Sequence, residues 1–408
     1  MKKLLTLTAL LLTSTLAQAG GYQLQEYSTT NMGRAFAGAG VVGDDYSAIA
    51  FNPAGMDLKN DGLQLGTSWI HLRSVFTGTL NDRNGNVRDQ GQGEVNVNKV
   101  VPHFFGQKRI NDRWTLGAGF YVPFGLGTYY NKNWLGKDHA LNSEITTMDF
   151  ALASSYKLFD NLVVGASVFA EYLEARLTSK VSDMNAHDNT APGYSVGLMY
   201  TPLENTRFGV AYRSRTIHKI SGPHYLSGLY GMDGTKLVLP EHVLLSAYHR
   251  IGKFGLSAMA RWTRWSRFDK LNIQSSAYNA YRMANRYGSS YNTPTVDEDW
   301  KNVWMVGAGV DYYYCKNLTF RAGVARDEGA VKRARTRTAR VPDSNRWLGT
   351  VGVSYQKGNW QLDMAYGHMF WEKARIDNTV GEGPKATTLQ GKYHSGLDLA
   401  GISLQYNF

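Results

Sequence analysis

The most constraining feature of this 408-residue chain is a two-residue alternation of apolar and polar side chains that recurs from residue 62 to the last residue. At the C-terminus, Ile402, Leu404, Tyr406 and Phe408 are separated by serine, glutamine and asparagine. A period of two is typical of a strand with one apolar face. The pattern predicts fourteen strands, at 62–79, 93–110, 113–127, 142–158, 161–180, 191–201, 206–220, 235–250, 253–268, 300–315, 317–331, 344–357, 359–375 and 392–408.

The connections between these strands are short and long in turn. The second and third strands, for example, are joined at Asn111-Asp112 and the twelfth and thirteenth at Gly358, whereas residues 269–299 form the longest connection. Short periplasmic turns that alternate with longer extracellular loops are typical of outer-membrane barrels. Aromatic residues lie on the apolar parity near both kinds of end, as in interfacial girdles. The predicted fold is all-β, a fourteen-stranded antiparallel transmembrane β-barrel.

Composition agrees with a barrel and excludes other classes. Glycine occurs 43 times and aromatic residues make up 12%, yet only 43% of the chain is hydrophobic. After the first twenty residues no stretch approaches the roughly 20 apolar residues that a spanning helix needs. The single cysteine, Cys315, excludes an internal disulfide, the histidines lack metal-ligand spacing, and no G-x-S-x-G elbow is present. We therefore expect no metal, no cofactor and no enzymatic activity.

The first residues predict export. Lys2 and Lys3 precede an apolar run, and Ala17-Gln18-Ala19 is a cleavage pattern, so residues 1–19 are interpreted as a signal peptide. The expected destination is the cell outer membrane, with the barrel assembly machinery as a partner. The net charge of +11 does not indicate nucleic acid in an exported chain. Its expected anionic partner is lipopolysaccharide or other outer-membrane lipid, and the basic run 332–340 either binds such phosphates or is only solvated.

Residues 20–61 precede the first strand and alternate little. Eight strands already enclose a lumen that side chains can fill, so a fourteen-stranded barrel of residues 62–408 needs something to block it. We expect residues 20–61 to be an N-terminal hatch (plug) inside the lumen.

This N-terminal segment carries a family resemblance. It contains Gly-Tyr-Gln-Leu-Gln-Glu-Tyr-Ser at 21–28, Gly-Arg-Ala-Phe-Ala-Gly at 33–38, Asp44-Asp45 and Asn52-Pro53-Ala54. In that order and spacing, the set resembles the start of the FadL-type outer-membrane long-chain fatty acid transporters. The resemblance implies a monomer that carries hydrophobic molecules passively, with capture at the loops and a tighter luminal site. Release is then sideways into the bilayer at a kinked third strand.

The same resemblance implies the site residues. The luminal ligand site includes Gly20, Gly21, Tyr22 and Gln23 with Asn52 and Pro53. The lateral gate maps onto Val122, Pro123, Phe124 and Gly125, where proline cannot donate to a strand ladder and glycine weakens one. An ordinary proline at the end of a strand is the alternative.

Strand parity adds candidate cations, because it places Arg213, Arg261 and Arg321 on the inward face. Arg213 and Arg261, near mid-height, are predicted to bind a ligand carboxylate, since an unpaired buried charge is costly. Alternatively, luminal arginines pair with hatch acids such as Asp44, Asp45 and Asp57.

Three functions remain open from the sequence. The first is a fatty-acid transporter; the second is a monoaromatic or alkane porin of the same fold, which needs no luminal cation. The third is a general porin or a surface adhesin. The connection at 181–190 is short, which puts outer capture in question, and Tyr278, Tyr281, Tyr287 and Tyr291 are candidates for apolar cover.

Overall fold

Fourteen antiparallel strands form one closed barrel in the computed structural model, which describes residues 21–284, 295–381 and 383–408. The expected signal peptide 1–19, Gly20, Tyr287 and Tyr291 lie outside the described residues. The strands are β1 Gly62–Asp82, β2 Val87–Arg109, β3 Trp114–Tyr121 continued by Gly125–Tyr129, β4 Asn142–Phe159, β5 Leu162–Thr178, β6 Ser182–Leu203, β7 Thr206–Arg213 continued by Thr216–Leu226, β8 Leu229–Leu239 continued by His242–Ile251, β9 Phe254–Thr263, β10 Val303–Cys315, β11 Leu318–Asp327, β12 Arg346–Lys357, β13 Trp360–Trp371 continued by Ala374–Val380, and β14 Thr387–Asn407.

The barrel closes between its first and last strands. β1 pairs with β2 from Gly62 onward and with β14 over its whole length, so no free edge remains at that junction. Along β1, residues at even positions from Gly62 to Phe76 are buried, whereas Leu65 and Trp69 are exposed on the outer wall. The predicted parity and the predicted fourteen-strand count are therefore confirmed. No helix among the described residues is long and apolar enough to cross a membrane.

Three connections that the sequence predicts as loops are tight turns at the tips of long hairpins. The turns lie at 83–86, 179–181 and 227–228, and β6 begins at Ser182 rather than near 191. A strand needs about 9–11 residues to span a bilayer, but β6 has 22. Beyond the lipid both faces of a strand meet water, so backbone pairing continues where the apolar alternation has stopped. The loop predictions at these three places were wrong for that reason.

Two other extracellular connections are long, and their described residues fold over the barrel mouth. Residues 264–302 include a helix at Ser276–Ala284. It is called α3, because two short helices of the N-terminal segment, α1 (Thr29–Met32) and α2 (Ala48–Phe51), precede it in the chain. Residues 328–345 reach the opposite wall, where the Tyr130 hydroxyl donates to the Ala339 carbonyl (2.8 Å). The connection between β11 and β12 therefore contacts the connection that follows β3.

Residues 21–61 are almost entirely buried, and they contact inward-facing positions of many strands. They form α1, α2 and a 3₁₀ helix at Pro53–Leu58. Glycines on the barrel wall permit close approach: a Cβ on Gly165 would lie 2.2 Å from the backbone nitrogen of Ala54. β1 begins directly after this segment, at Gly62.

Candidate ligand cavity and lateral seam

The ladder between β2 and β3 is interrupted. The two strands pair only between Phe104–Arg109 and Thr115–Phe120, and beyond that the single bridge Val95–Tyr130 joins them. β3 stops at Tyr121 and resumes at Gly125, after Pro123. We call this interruption, between residues 96–103 of β2 and 121–129 of β3, the seam.

The N-terminal segment covers the inner side of the seam. The Leu24 amide donates to the Pro123 carbonyl (2.8 Å), and the Gly125 amide donates to the Tyr22 carbonyl (2.7 Å). Gln23 is thus paired, antiparallel, with Phe124. Residues Tyr22–Leu24, here called the closing segment, act as a short additional strand at the place where β3 is broken.

Side chains of the far wall hold Gln23 in this position. Its amide nitrogen lies 3.0 Å from Nδ1 of His242, at the start of a segment of β8. The Thr263 hydroxyl, at the end of β9, donates to its amide oxygen (3.0 Å). The closing segment is therefore attached to β3 through its backbone and to β8 and β9 through one side chain.

Tyr22 is the centre of an aromatic cluster. Its ring centroid lies 4.7 Å from that of Trp265 and 5.7 Å from that of Trp300, with Phe268 and Phe124 near 6 Å. Gly21 has φ +69°, and a Cβ there would lie 2.7 Å from both indoles. The cluster therefore requires glycine at position 21 and joins the closing segment to the loop 264–302.

A cavity of about 1690 Å³ reaches from the barrel mouth to Tyr22. Its inner wall is mostly apolar, with the following residues on it: Leu126, Ile145, Ala175, Met184, Ile220, Leu237 and Phe268. Tyr278 and Tyr281 of α3 also line it, as the sequence suggests for apolar cover. Its outer part carries charges of both signs, among them Arg88 and Asp377.

Asn52 and Pro53 lie away from this cavity. The Asn52 side-chain amide donates to the Leu198 carbonyl (3.1 Å), and its oxygen accepts the Ala54 amide (3.1 Å). Pro53 begins the 3₁₀ helix. In this arrangement the two residues attach the N-terminal segment to β6.

The two arginines predicted to bind carboxylate have different surroundings. Arg213 is ion-paired with Asp149 (2.7 Å) and Glu171 (2.9 Å), and its guanidinium lies 3.8 Å from the centroid of the Phe169 ring. Arg261 is equally buried but makes no ion pair within 4 Å in the part of the chain that the structure describes; its nearest polar partner is Sδ of Met305 (3.7 Å). It precedes Thr263 on β9 and lies on the periplasmic side of Gln23, outside the cavity lining.

Arg340, the last residue of the basic run 332–340, lines the cavity. Its sequence position predicts only that it belongs to that run. Arg340 Nη1 donates to the carbonyls of Asn142 (3.2 Å) and Thr178 (3.1 Å) and to the Ser143 hydroxyl (3.0 Å). Burial lowers the pKa of Arg340 to about 10, so it is cationic at neutral pH. A long loop has no side-chain period from which this position could be predicted.

Glu298 shares the cavity with Arg340. Burial raises the pKa of Glu298 to about 7, although the Trp300 indole, which donates to it (3.0 Å), and the charge of Arg340 act in the opposite direction. The charge of the cavity therefore changes near neutral pH.

The periplasmic half of the N-terminal segment is attached to the barrel wall by ion pairs between side chains. Arg34 contacts Asp44 (2.7 Å) and Asp311 of β10 (3.1 Å), and Arg321 of β11 contacts the same two acids (2.8 and 3.3 Å). Arg321, the third inward arginine, therefore pairs with Asp44 of the N-terminal segment, the kind of pairing that the alternative interpretation expects.

Asp45 and Asp57, two further acids of the segment, are also bound. Asp45 accepts hydrogen bonds from the hydroxyls of Ser28 (2.5 Å) and Thr30 (2.7 Å). Asp57 pairs with Arg109 (3.2 Å) and Lys157 (3.3 Å). The described residues contain no cluster of three or more histidine, cysteine or acidic side chains that would hold a metal ion.

Comparison with known proteins agrees with this architecture. The family model described as outer membrane protein transport protein (OMPP1/FadL/TodX) matches residues 10–408. The chain belongs to this family. It is therefore an outer-membrane protein of a transport family rather than of an enzyme family, and the resemblance seen in the N-terminal sequence is confirmed.

The relatives of this OMPP1/FadL/TodX-family chain include proteins that are named for different roles. It is 26% identical to outer membrane protein P1 of Haemophilus influenzae, over 98% of both chains, and 24% identical to the long-chain fatty acid transport protein of Escherichia coli (strain K12), over 94% of both. A Pseudomonas aeruginosa FadL homologue superposes with a TM-score of 0.85 at 23% identity, covering 95% of this chain and 100% of that one. The Pseudomonas putida toluene transporter TodX gives 0.67 at 16% identity, covering 95% and 99%. These structures share the barrel fold.

Proposed function

We propose that this protein carries long-chain fatty acids and similar hydrophobic compounds passively across the outer membrane, with release sideways into the bilayer. The observation that carries the proposal is the position of Arg340, a cation on the wall of a cavity that ends at Tyr22 and whose inner wall is mostly apolar. A fatty acid has one charged end and a long apolar chain. The cavity offers a matching surface for each.

The size of the cavity supports an extended ligand. Pockets for small molecules usually measure about 300–1,000 Å³ and are mostly apolar with a few polar groups. At about 1690 Å³ the cavity is larger than that range. An acyl chain has room against Leu126, Ile145 and Leu237 while its carboxylate reaches Arg340.

The roles of the other residues follow from their contacts. Arg213 is neutralised by two carboxylates, so its proposed role is to support the wall. Arg261 is the second proposed ligand cation, reached only after the closing segment moves, because it lies on the periplasmic side of Gln23. Residues 20–61 are proposed to be the hatch, with Asn52 and Pro53 as its attachment to β6.

The seam is the proposed exit. Val122, Pro123, Phe124 and Gly125 break β3, and the closing segment covers the break with two backbone hydrogen bonds. A ligand that packs against Tyr22 disturbs the same aromatic cluster that holds Phe124. Ligand binding and opening of the seam are therefore proposed to be coupled through Tyr22. The route avoids the water phase, which an acyl chain enters only at the cost of about 0.8 kcal/mol per methylene.

The test is equilibrium binding of oleate and of toluene to the refolded protein and to the Arg340→Gln variant. We expect saturable oleate binding that weakens about tenfold in the variant, the factor for one charge-assisted hydrogen bond, and no change for toluene. Arg88→Gln, a cation at the outer part of the same cavity, is the matched control.

The opposite results are equally informative. Tight toluene binding with no oleate binding would replace the proposal by a hydrocarbon porin. Oleate binding that is indifferent to Arg340→Gln but lost in Arg261→Gln would move the carboxylate site to the deeper cation. Binding of neither ligand would contradict the transport of both classes.

A further inference from the structure

A lysine lies in the seam itself. Lys99 of β2 reaches the second segment of β3, where its ammonium donates to the Tyr129 hydroxyl (3.1 Å) and lies 4.8 Å from the centroid of that ring. Oε1 of Glu144, on β4, is 4.0 Å from the same ammonium. The Lys99 side chain is only 13% exposed. The seam thus contains a nearly buried cation.

The position of Lys99 matches the depth of the outer interface. In the β1–β2 register, Lys99 is opposite Ile70, next to the pair of Trp69 and Val100. On the outer wall of β1, the exposed Trp69 is followed by the polar His71 and Arg73, so it lies at the extracellular edge of the lipid-facing band, where a girdle tryptophan sits at headgroup level. A carboxylate that enters the outer leaflet with its chain in the hydrocarbon lies at the same level as the Lys99 ammonium.

Lys99 and Arg340 flank the same piece of wall. Arg340 contacts Ser143 from the lumen, and Lys99 faces the next residue, Glu144, from the seam. Ser143 and Glu144 pair with Thr128 and Gly127 of β3. The two cations are therefore separated by one strand pair, directly beside the break in β3.

The ammonium is only partly satisfied. A lysine has three donors, and among the described residues Lys99 makes one hydrogen bond, to Tyr129. Oε1 of Glu144 is buried and has no hydrogen-bond partner there, since 4.0 Å is too long for one. Lys99 and Glu144 thus form a long ion pair without a hydrogen bond, and a ligand carboxylate can compete with Glu144 for the cation.

We propose that Lys99 is a further carboxylate site, at the exit, which receives the headgroup of the ligand from the luminal cation Arg340 as the acyl chain passes through the seam into the outer leaflet. Glu144 competes with the ligand and releases it from Lys99. The site favours amphiphilic acids over neutral hydrocarbons at the exit step. This inference rests on the proposed function, because it assumes that an acid enters the cavity.

The test uses intact cells that lack a fatty-acid transporter of their own and express the full-length chain. Uptake of labelled oleate and of labelled toluene is measured for wild type, Lys99→Met and Glu144→Gln. Lys108→Met, an exposed lysine on the same strand near the periplasmic turn, is the matched control. Binding of oleate to each purified protein is measured in parallel.

We expect Lys99→Met to lower the rate of oleate uptake about tenfold, the effect of one lost charge-assisted contact, with toluene uptake unchanged. Binding in the cavity should stay within twofold of wild type, because Lys99 is absent from the cavity lining. Glu144→Gln should keep or raise oleate uptake, since it removes the competing anion. Lys108→Met should match wild type.

Two results would overturn the inference. Unchanged oleate uptake by Lys99→Met would show that the exit needs no cation. A parallel loss in both Lys99→Met and Glu144→Gln, for oleate and toluene alike, would show that the pair only stabilises the seam. Neither result resembles failure of the proposed function, in which wild type itself does not bind oleate.

Discussion

The two ends of the N-terminal segment are held in different ways. Its later part is attached by buried ion pairs, with Arg34 and Arg321 facing Asp44 and Asp311. Its first part, Tyr22–Leu24, carries no charge and is held by two backbone hydrogen bonds, one glutamine and aromatic packing. Removing one member of a buried ion cluster leaves uncompensated charge, whereas a short uncharged strand can leave and return. The contrast supports the proposal that residues 20–61 are a hatch, with its later part fixed and its first part able to move.

The largest expected effect is on the fixed end. Arg34→Met leaves Arg321 as the only cation between the buried Asp311 and the partly exposed Asp44, and we expect a loss of about 3–5 kcal/mol in the free energy of unfolding. Denaturant unfolding in lipid vesicles measures it, and steady ion conductance should rise as the hatch loosens. Arg73→Met, which removes an exposed arginine paired with Glu94, is the control. Equal stability of the two variants would contradict the account of the fixed end.

A smaller, local effect is expected at the movable end. Gly21→Ala combines a left-handed backbone with a Cβ 2.7 Å from two indoles, and overpacking of this kind costs about 1–3 kcal/mol. Gly85→Ala is the matched control, because Gly85 has φ +84° and nothing within 4 Å of a Cβ. Hydrogen exchange of the Leu24 and Gly125 amides should accelerate only in Gly21→Ala, and the global free energy of unfolding should fall by no more than the cost of overpacking. Slow exchange in both variants would mean that the closing segment is as fixed as the rest.

The smallest effect concerns the cavity above the closing segment. Because burial raises the pKa of Glu298 to about 7, this side chain gains negative charge as the pH rises from 6 to 8. A long-chain alkyl sulfonate, ionised throughout, should then bind about threefold more weakly at pH 8. Glu298→Gln should make the binding independent of pH, and titration calorimetry measures both. A pH dependence that persists in Glu298→Gln would assign it to another group.

The sequence predicts the barrel because lipid imposes a strict side-chain period on each strand. Parity alone places Arg213, Arg261 and Arg321 inside, and the structure finds all three buried. The sequence does not predict the extracellular ends of the hairpins, because both faces of a strand meet water there and the alternation of apolar and polar side chains stops. The contacts of Arg213 with Asp149 and Glu171 depend on the stagger between strands, and Arg340 lies in an irregular loop, so neither follows from a local pattern.

The break in β3 can be predicted from the local sequence only in part. Proline and glycine at Pro123 and Gly125 are reason enough to expect weak pairing there. That the Tyr22–Leu24 backbone replaces the missing partner is a contact across roughly a hundred residues of chain, and Lys99 joins the seam only through the β2 register. These two contacts can be recognised only when the three-dimensional structure of the closed barrel is known.

The most direct test of the central claim, that Tyr22–Leu24 closes the seam, is a reversible cross-link. Gln23 and Phe124 form a non-hydrogen-bonded antiparallel pair, whose Cα separation of about 4.5 Å suits a disulfide. In a Cys315→Ser background, Gln23→Cys with Phe124→Cys should bind oleate in either redox state. The account predicts that oleate uptake is blocked when the pair is oxidised and restored by reductant, with each single substitution unaffected by redox state. Uptake by the oxidised double variant as fast as by the reduced one would contradict it.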